Sequence, residues 1–399
     1  MQSLLFWLAA AIFAASLATL LEGIYAVRAV PSLARAVPPD ASPGPNPPRV
    51  SVIVPACNEA RSIESAVRSL LRQDYPNLEV VLVNDRSTDE TGEIMNRLAT
   101  EYPQVTVVHI DRLPGGWLGK NHALWAGGRH ASGEILLFTD ADVHFDPTTI
   151  RRAVAFMEQR RLDHLTLAPD LTVRGYWLEA WVAFFIMAFL AYKTPHRANN
   201  PRSKVGMGIG GFNMIRRTTY DAIGTHRAIS LRPDDDLRLG QRLKRMGHSS
   251  HVAMGRGLIS VEWYTSLGEA IRGLEKNTFA GLEYNAGMVV VSVVGVLTIM
   301  VWPYVALFLT EGRTLALYAG AILLQLALYV LVNGAGVPRM YQLALAYPVA
   351  ALLFAYAIAR ATYLTLRQGG ISWRGTFYPL ALLRSQSGLP DRRGGAAHG

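Results

Sequence analysis

Asp140 and Asp142 stand one residue apart in the stretch EILLFTDAD, residues 134–142. Two acidic side chains at that spacing can hold a hard divalent cation, and such a cation typically bridges diphosphate oxygens. The plainer reading of D-x-D is a chance pair in a loop. A second acidic group, Asp234, Asp235 and Asp236, lies in RPDDDLRLGQRL. Three crowded like charges should raise at least one pKa, which suits a general base working near ambient pH. Their plainer role is that of helix N-terminal acids stabilised by the macrodipole. Asp85, in VVLVNDRSTDET, is acceptor-only when ionised and can take hydrogen bonds from a nucleobase or ribose; otherwise it starts an Asx turn. Asn58 and Glu59 can face the same nucleotide or cap a helix. Lys120, in the glycine-containing stretch GGWLGKNH, can contact phosphate. Gly210-Gly211-Phe212-Asn213 is a small-residue loop where substrate can approach backbone closely; the alternative is a tight turn.

These residues follow a repeating pattern. Apolar runs at 50–55, 79–83, 105–110 and 135–138 alternate with helical stretches at 58–73, 87–100 and 119–131. The run at 135–138 fits a fully buried parallel strand. Alternation of this kind predicts an α/β domain with a mostly parallel sheet and helices on both faces. In open α/β sheets ligands bind beyond the carboxyl ends of strands. Asp85 and the Asp140/Asp142 pair lie at such ends. The G-x-G-x-x-G fingerprint is missing after the first strand, and no P-loop is present, which argues against dinucleotide and P-loop chemistry. A helix is expected at 236–246.

The chain has 399 residues, half of them hydrophobic and only 17% charged. An average soluble chain carries about 25% charged residues, so the deficit points to membrane segments. Residues 4–21 contain no charge and suit a membrane anchor, with no basic residue ahead of them as a signal peptide would want. Residues 38–48 are a Pro-rich linker. Residues 176–192, apolar except for Glu179, fit a helix lying in the membrane interface or lining an acceptor groove. Stretches 286–309, 315–332 and 343–359 can each span. Arg28 and Arg35 put the following domain in the cytoplasm by the positive-inside rule. Three further spans would then leave the tail outside, although Arg360, Arg367, Arg374, Arg384, Arg392 and Arg393 favour the inside. Either one C-terminal stretch is re-entrant or interfacial, or the charge rule is overruled. The net charge of +9 finds no nucleic-acid motif to serve; lipid headgroups and a phosphate-bearing donor explain it better. The single Cys57 excludes an intrachain disulfide.

Taken together, these motifs resemble glycosyltransferase family 2, the inverting GT-A-type enzymes that use nucleotide sugars. VSVIVPACNEARSI is similar to the family's opening strand and nucleotide loop, with Pro55 and Glu59 in it, and NDRSTDET to its nucleotide-binding acidic motif. The resemblance implies Asp85 in uracil or ribose contact, and Lys120 and Gly211 at the nucleotide sugar. It implies Asp140 on the nucleotide sugar and Asp142, with Asp140, on Mg²⁺ or Mn²⁺. DDLRLGQRL lies where the family carries Glu-Asp-x-x-Leu, so Asp236 would be the base, with Asp235 in place of the Glu. The Q-x-x-R-W motif of processive polysaccharide synthases is missing. The layout looks most like the branch that glycosylates carotenoids, hopanoids or other membrane lipids.

The expected organisation is an anchor at 1–30, a linker at 31–49, a GT-A domain at 50–285, a membrane region at 286–365 and a basic tail at 366–399. The expected function is inverting transfer of a sugar from a nucleotide-diphosphate sugar, UDP-linked by preference, to a hydroxyl or carboxyl of a lipophilic acceptor. The expected location is a bacterial-type inner membrane, multi-pass, with the catalytic domain cytoplasmic. Rival readings are a glycan-synthesising glycosyltransferase, a membrane nucleotidyltransferase and a non-catalytic scaffold.

Overall fold

The structure, a computed structural model, describes residues 2–42, 44–334 and 337–385. The chain divides into two compact units. One comprises residues 30–172, 195–262 and 372 onward; the other comprises residues up to 29, 173–194 and 263–371. The boundary expected at residue 285 therefore falls inside the second unit. The tail beyond Ser385 lies outside the described residues.

Up to residue 262, the described residues of the first unit form ten strands: β1 (Val50–Ala56), β2 (Leu78–Asp85), β3 (Val105–Ile110), β4 (Ile135–Phe138), β5 (Val143–Phe145), β6 (His164–Ala168), β7 (Asp170–Thr172), β8 (Asn213–Arg216), β9 (Ser250–Met254) and β10 (Ile259–Glu262). Seven form a sheet of order β3-β2-β1-β4-β8-β6-β9. β1 pairs in parallel with β2 on one side and β4 on the other, with Val52 opposite Val80 and Leu137. β8 runs antiparallel to both β4 and β6, so the sheet is mostly parallel. Every residue of β1 and β4 is buried. Alternate residues serve opposite cores, as the two-residue period of a strand requires: Val50, Val52 and Val54 join one cluster, and Ile53 joins the other with Val81, Val83, Leu136 and Phe138. β5, β10 and β7 form a second, smaller sheet.

Two local expectations change. The helix expected from residue 58 begins at Ile63. Asn58 takes a left-handed φ of 59°, and the amides of residues 58–60 donate to Ser87, Thr91 and Asp89 side chains. A loop whose amides are engaged this way does not coil into a helix. Likewise Thr91, not Ser87, opens the next helix, because residues 87–90 are held in that exchange. The start of the expected linker is also ordered: Leu33 and Val37 are buried, Met254 donates to the Pro31 carbonyl, and Arg152 donates to the carbonyls of Ala34 and Val37.

The second unit is helical. Among the described residues, five helices are long and apolar enough to cross a membrane: Gln2–Ala29, Tyr176–Lys193, Ala286–Ala306, Gly312–Gly334 and Tyr347–Gln368. Ala180, Ala183 and Phe184 of the second pack with Tyr329, Tyr347 and Ala350. Gln325 donates to Ser16 and to the Ile299 carbonyl, which lies in a π-turn at Leu297–Val301. That bond meets a carbonyl where the α-helical ladder is interrupted. Trp7, Val291, Phe308 and Leu323 are each at least two-thirds exposed. Large apolar side chains facing outward on several helices mark a surface meant for something other than water.

Candidate active site

β4 is followed by Thr139, whose hydroxyl donates to the Gly211 carbonyl at 2.8 Å. This bond ties the Asp140/Asp142 turn to the glycine loop 72 residues later. Lys120, in the first turn of helix Gly119–His130, puts its ammonium 2.8 Å from Asp140 Oδ1 and 3.7 Å from Asp235 Oδ1. Burial works against that charge, but Asp140, Asp235 and Asp236 outweigh it and hold the ammonium above the usual lysine range. Asp142 is in the opposite condition. Burial, with Asp140 and Glu59 adding like charge, pushes its carboxyl up to about 7.

The acidic triplet is sorted by its partners. Asp234 is buried and accepts from Arg232 at 2.9 and 3.0 Å and from Arg238 at 2.9 Å. Despite its burial, the two guanidiniums keep its carboxyl below the ordinary range. Asp235 and Asp236 occupy the first turn of helix Asp235–Arg245 and are both raised, chiefly by burial, with Lys120 opposing. Like charge, the expected cause, comes second to burial. Asp236 Oδ2 accepts the Gly210 amide and Oδ1 the Leu237 amide, each at 2.7 Å. These bonds aim the carboxylate at the glycine loop.

The glycines of that loop allow close approach of the groups around them. A Cβ on Gly210 would lie 2.8 Å from Asp140 Oδ2, 3.4 Å from Asp236 Oδ2 and 3.5 Å from Lys120 Nζ. Gly206, Gly208 and Gly240 allow the loop to meet the helix backbone to backbone, where any Cβ would collide with main-chain atoms. Gly211 contributes its carbonyl to Thr139.

The residues expected to face the nucleotide form their own cluster. Asp85, at the end of β2, is buried and held by Arg86 at 2.8 and 3.1 Å. Arg86 was not among the residues singled out from sequence, although it follows Asp85 directly; its left-handed φ of 58° turns it back onto its neighbour. A Cβ on Gly119 would lie 2.6 Å from Arg86 Nη2, so this glycine lets helix Gly119–His130 begin against the pair. Pro55 is buried within β1, opposite Val83. Glu59 is half-buried and 3.0 Å from Arg374; burial raises its carboxyl while Arg374 pulls it down. Arg374 carried no local signal for a place here.

The donor set suits a hard cation. Asp142 is a partly buried carboxylate pushed toward its neutral form by burial and neighbouring acids, which a cation would reverse. Among the described residues no three His, Cys, Asp or Glu side chains gather around one ion position. An ion held by one or two carboxylates and completed by substrate phosphates is the usual Mg²⁺ arrangement.

The fold and these acids define a GT-A-like α/β domain. Residues 51–224 match the model of Glycosyl transferase family 2, and this stretch is a family 2 glycosyltransferase domain. The 4,4'-diaponeurosporenoate glycosyltransferase of Staphylococcus aureus strain USA300 is 38% identical over 96 residues, which are 24% of each chain. The match thus spans about a quarter of that relative. Among solved structures, the mannosyltransferase PcManGT of Pyrobaculum calidifontis, in complex with GDP-Man and Mn²⁺, is 22% identical. The alignment covers 90% of this chain and 98% of that one, with a TM-score of 0.49. Residues 1–349 of S. aureus TarS are 16% identical, covering 83% and 96%, with a TM-score of 0.40.

Proposed function

We propose that this chain is a membrane-bound, inverting glycosyltransferase. It moves a sugar from a nucleotide-diphosphate sugar to a hydroxyl or carboxyl of a lipophilic acceptor. The observation that carries the reading is the convergence of Asp140, Lys120 and Asp236 on Gly210, from three separate elements. Asp236 keeps lone pairs beyond the two amides it accepts. It takes the proton of the acceptor hydroxyl as that oxygen bonds to the anomeric carbon. The bond to the diphosphate breaks on the opposite face, its electrons leave with the phosphate oxygen, and the configuration inverts. Burial raises the Asp236 carboxyl above its ordinary range, which makes it a stronger base. Asp142 and Asp140 would hold Mg²⁺ or Mn²⁺, which neutralises the leaving diphosphate when bound. Asp85 and Glu59 serve the nucleoside, and Lys120 the phosphates.

The outward apolar side chains support membrane residence, and chain connectivity supports a topology. Residues 173–194 leave the α/β unit and return to it after one long helix. A helix flanked on both sides by one compact unit does not cross a bilayer, so Tyr176–Lys193 is read as interfacial, facing the acceptor. Residues 263–371 also depart from and rejoin that unit. The chain then crosses an even number of times there, although three long apolar helices lie in the segment. With Gln2–Ala29 crossing once, Arg28, Arg374 and Arg384 fall on one side, as the positive-inside rule prefers. The acceptor class rests on this membrane setting and on the similarity to a carotenoid glycosyltransferase.

The test is transfer of radiolabelled sugar from UDP- and GDP-sugars to an organic-extractable product. It uses the full chain in detergent with Mn²⁺ and a membrane lipid extract. The expected product carries the sugar with inverted anomeric configuration. Retained configuration, or label only in water-soluble polymer, would refute the reading.

A further inference from the structure

Downstream of the family match, β11 (Gly370–Trp373) and β12 (Thr376–Pro379) pair across a two-residue loop, Arg374-Gly375. Both loop residues have positive φ, 49° and 77°. Two-residue hairpin loops of this kind favour Asn-Gly or Asp-Gly, because a long side chain resists the left-handed conformation. An arginine held there against its preference points to a use for its side chain. That side chain reaches Glu59 at 3.0 Å, across 315 residues of sequence. Four residues on, the buried Tyr378 has the Gly119 backbone, Asp85 and Arg86 among the groups that act on its hydroxyl. The hairpin is therefore tied to the rim of the nucleotide cluster through Arg374, beyond the end of β1, while Tyr378 sits near the start of helix Gly119–His130.

The charges around that rim are unequal in their commitments. Lys120 lies between Asp140 and Asp235, both at the reaction centre. Arg86 is bidentate on the buried Asp85. Arg374 meets a carboxylate at a partly exposed position, with about a third of each side chain open to solvent. Exchange of a partner is easiest there, since solvent screens the pair that is lost. A planar guanidinium matches the paired oxygens of a diphosphate.

Resting on the reading of the preceding section, we propose that Arg374 is a donor-binding residue. It holds Glu59 in the donor-free protein and turns to the donor's diphosphate when the nucleotide sugar binds. The C-terminal hairpin thereby forms part of the donor site.

The experiment measures binding of UDP and GDP with Mn²⁺ to the full chain in detergent, by calorimetry. Uridine and guanosine are measured in parallel by saturation-transfer NMR. Arg374→Ala should weaken the better-bound diphosphate about 10- to 100-fold, the worth of one charged hydrogen bond to phosphate. The matching nucleoside should bind as before, which also reports an intact fold. Arg374→Lys should recover part of the loss, since it keeps the charge without the fork. Equal loss for nucleoside and diphosphate, or no loss for either, would make Arg374 a mere hairpin tether and overturn the proposal. Failure of the broader glycosyltransferase reading appears elsewhere, in the wild-type arm, as no diphosphate binding at all.

Discussion

The Asp236 carboxylate accepts the Gly210 amide at 2.7 Å, and the space a Gly210 Cβ would fill is bounded by Asp140, Asp236 and Lys120. The proposed base and the proposed phosphate-side groups thus share one glycine. Gly210 has no positive φ, so alanine is conformationally tolerated there. Gly210→Ala should leave the melting temperature nearly unchanged yet lower kcat about 10- to 100-fold, because displacement of groups by an ångström costs that much. Thermal denaturation and transfer rates on one preparation check both halves. Wild-type turnover would show that the gap is not part of the site.

Asp236→Asn should leave donor affinity nearly unchanged and lower sugar transfer by about 10²–10⁴-fold, the usual worth of a positioned base. Asp235→Asn should do less. The residues are adjacent, so the double variant need not be additive. A dead Asp235→Asn beside an Asp236→Asn within about tenfold of wild type would move the base to Asp235.

Asp142 gives a pH dependence with a definite sign. Its carboxyl, ordinarily near 3.8, is pushed up to about 7. Below that value it carries a proton, and a metal ligand must shed its proton to bind. Mn²⁺-assisted UDP affinity should therefore weaken as pH falls through about 7, with proton release on binding in that range. In the metal-free protein the sign reverses: ionising this group disfavours the fold, so its contribution to stability declines as pH rises from 3.8 toward 7. Asp142→Asn should abolish the metal effect on UDP binding and raise the metal-free melting temperature at pH 8. Calorimetry at pH 6 and pH 8 and a melting curve are the checks.

Asp234 should behave as a stability residue. Its removal takes a shared counter-charge from the buried Arg232 and Arg238. Asp234→Ala should cost about 3–5 kcal/mol, as breaking a buried pair does. A strongly lowered denaturation midpoint is expected. A fully stable variant with lost turnover would give Asp234 a catalytic part instead.

A reporter fused at the C-terminus should lie on the same membrane side as the α/β unit. The reason is that residues 263–371 depart from and rejoin that unit. Protease protection in sealed vesicles, with a loop of the α/β unit as reference, measures this. Opposite protection of the two sites would exclude an even number of crossings.

Much of the fold was legible in the sequence because it is local. Strand runs buried on both faces are written as unbroken apolar stretches, and β1, β2, β3 and β4 lie where those stretches do. Acids at strand ends are equally visible, since ligands gather at carboxyl ends of parallel strands whatever the chemistry. The long apolar helices follow from composition alone. What tertiary structure decided is which of several like residues has a partner. Asp234, Asp235 and Asp236 look alike in sequence; Arg232 and Arg238 neutralise the first, while burial raises the other two. The sequence offered residues 58–62 as the start of a helix, but side chains some 30 positions away claimed their amides. Arg374 reached Glu59 only because the chain returned to the first unit after more than a hundred residues in the second. Periodicity and end signals act over a few residues. Ion pairing and desolvation depend on neighbours brought together by folding, and no short-range pattern encodes them.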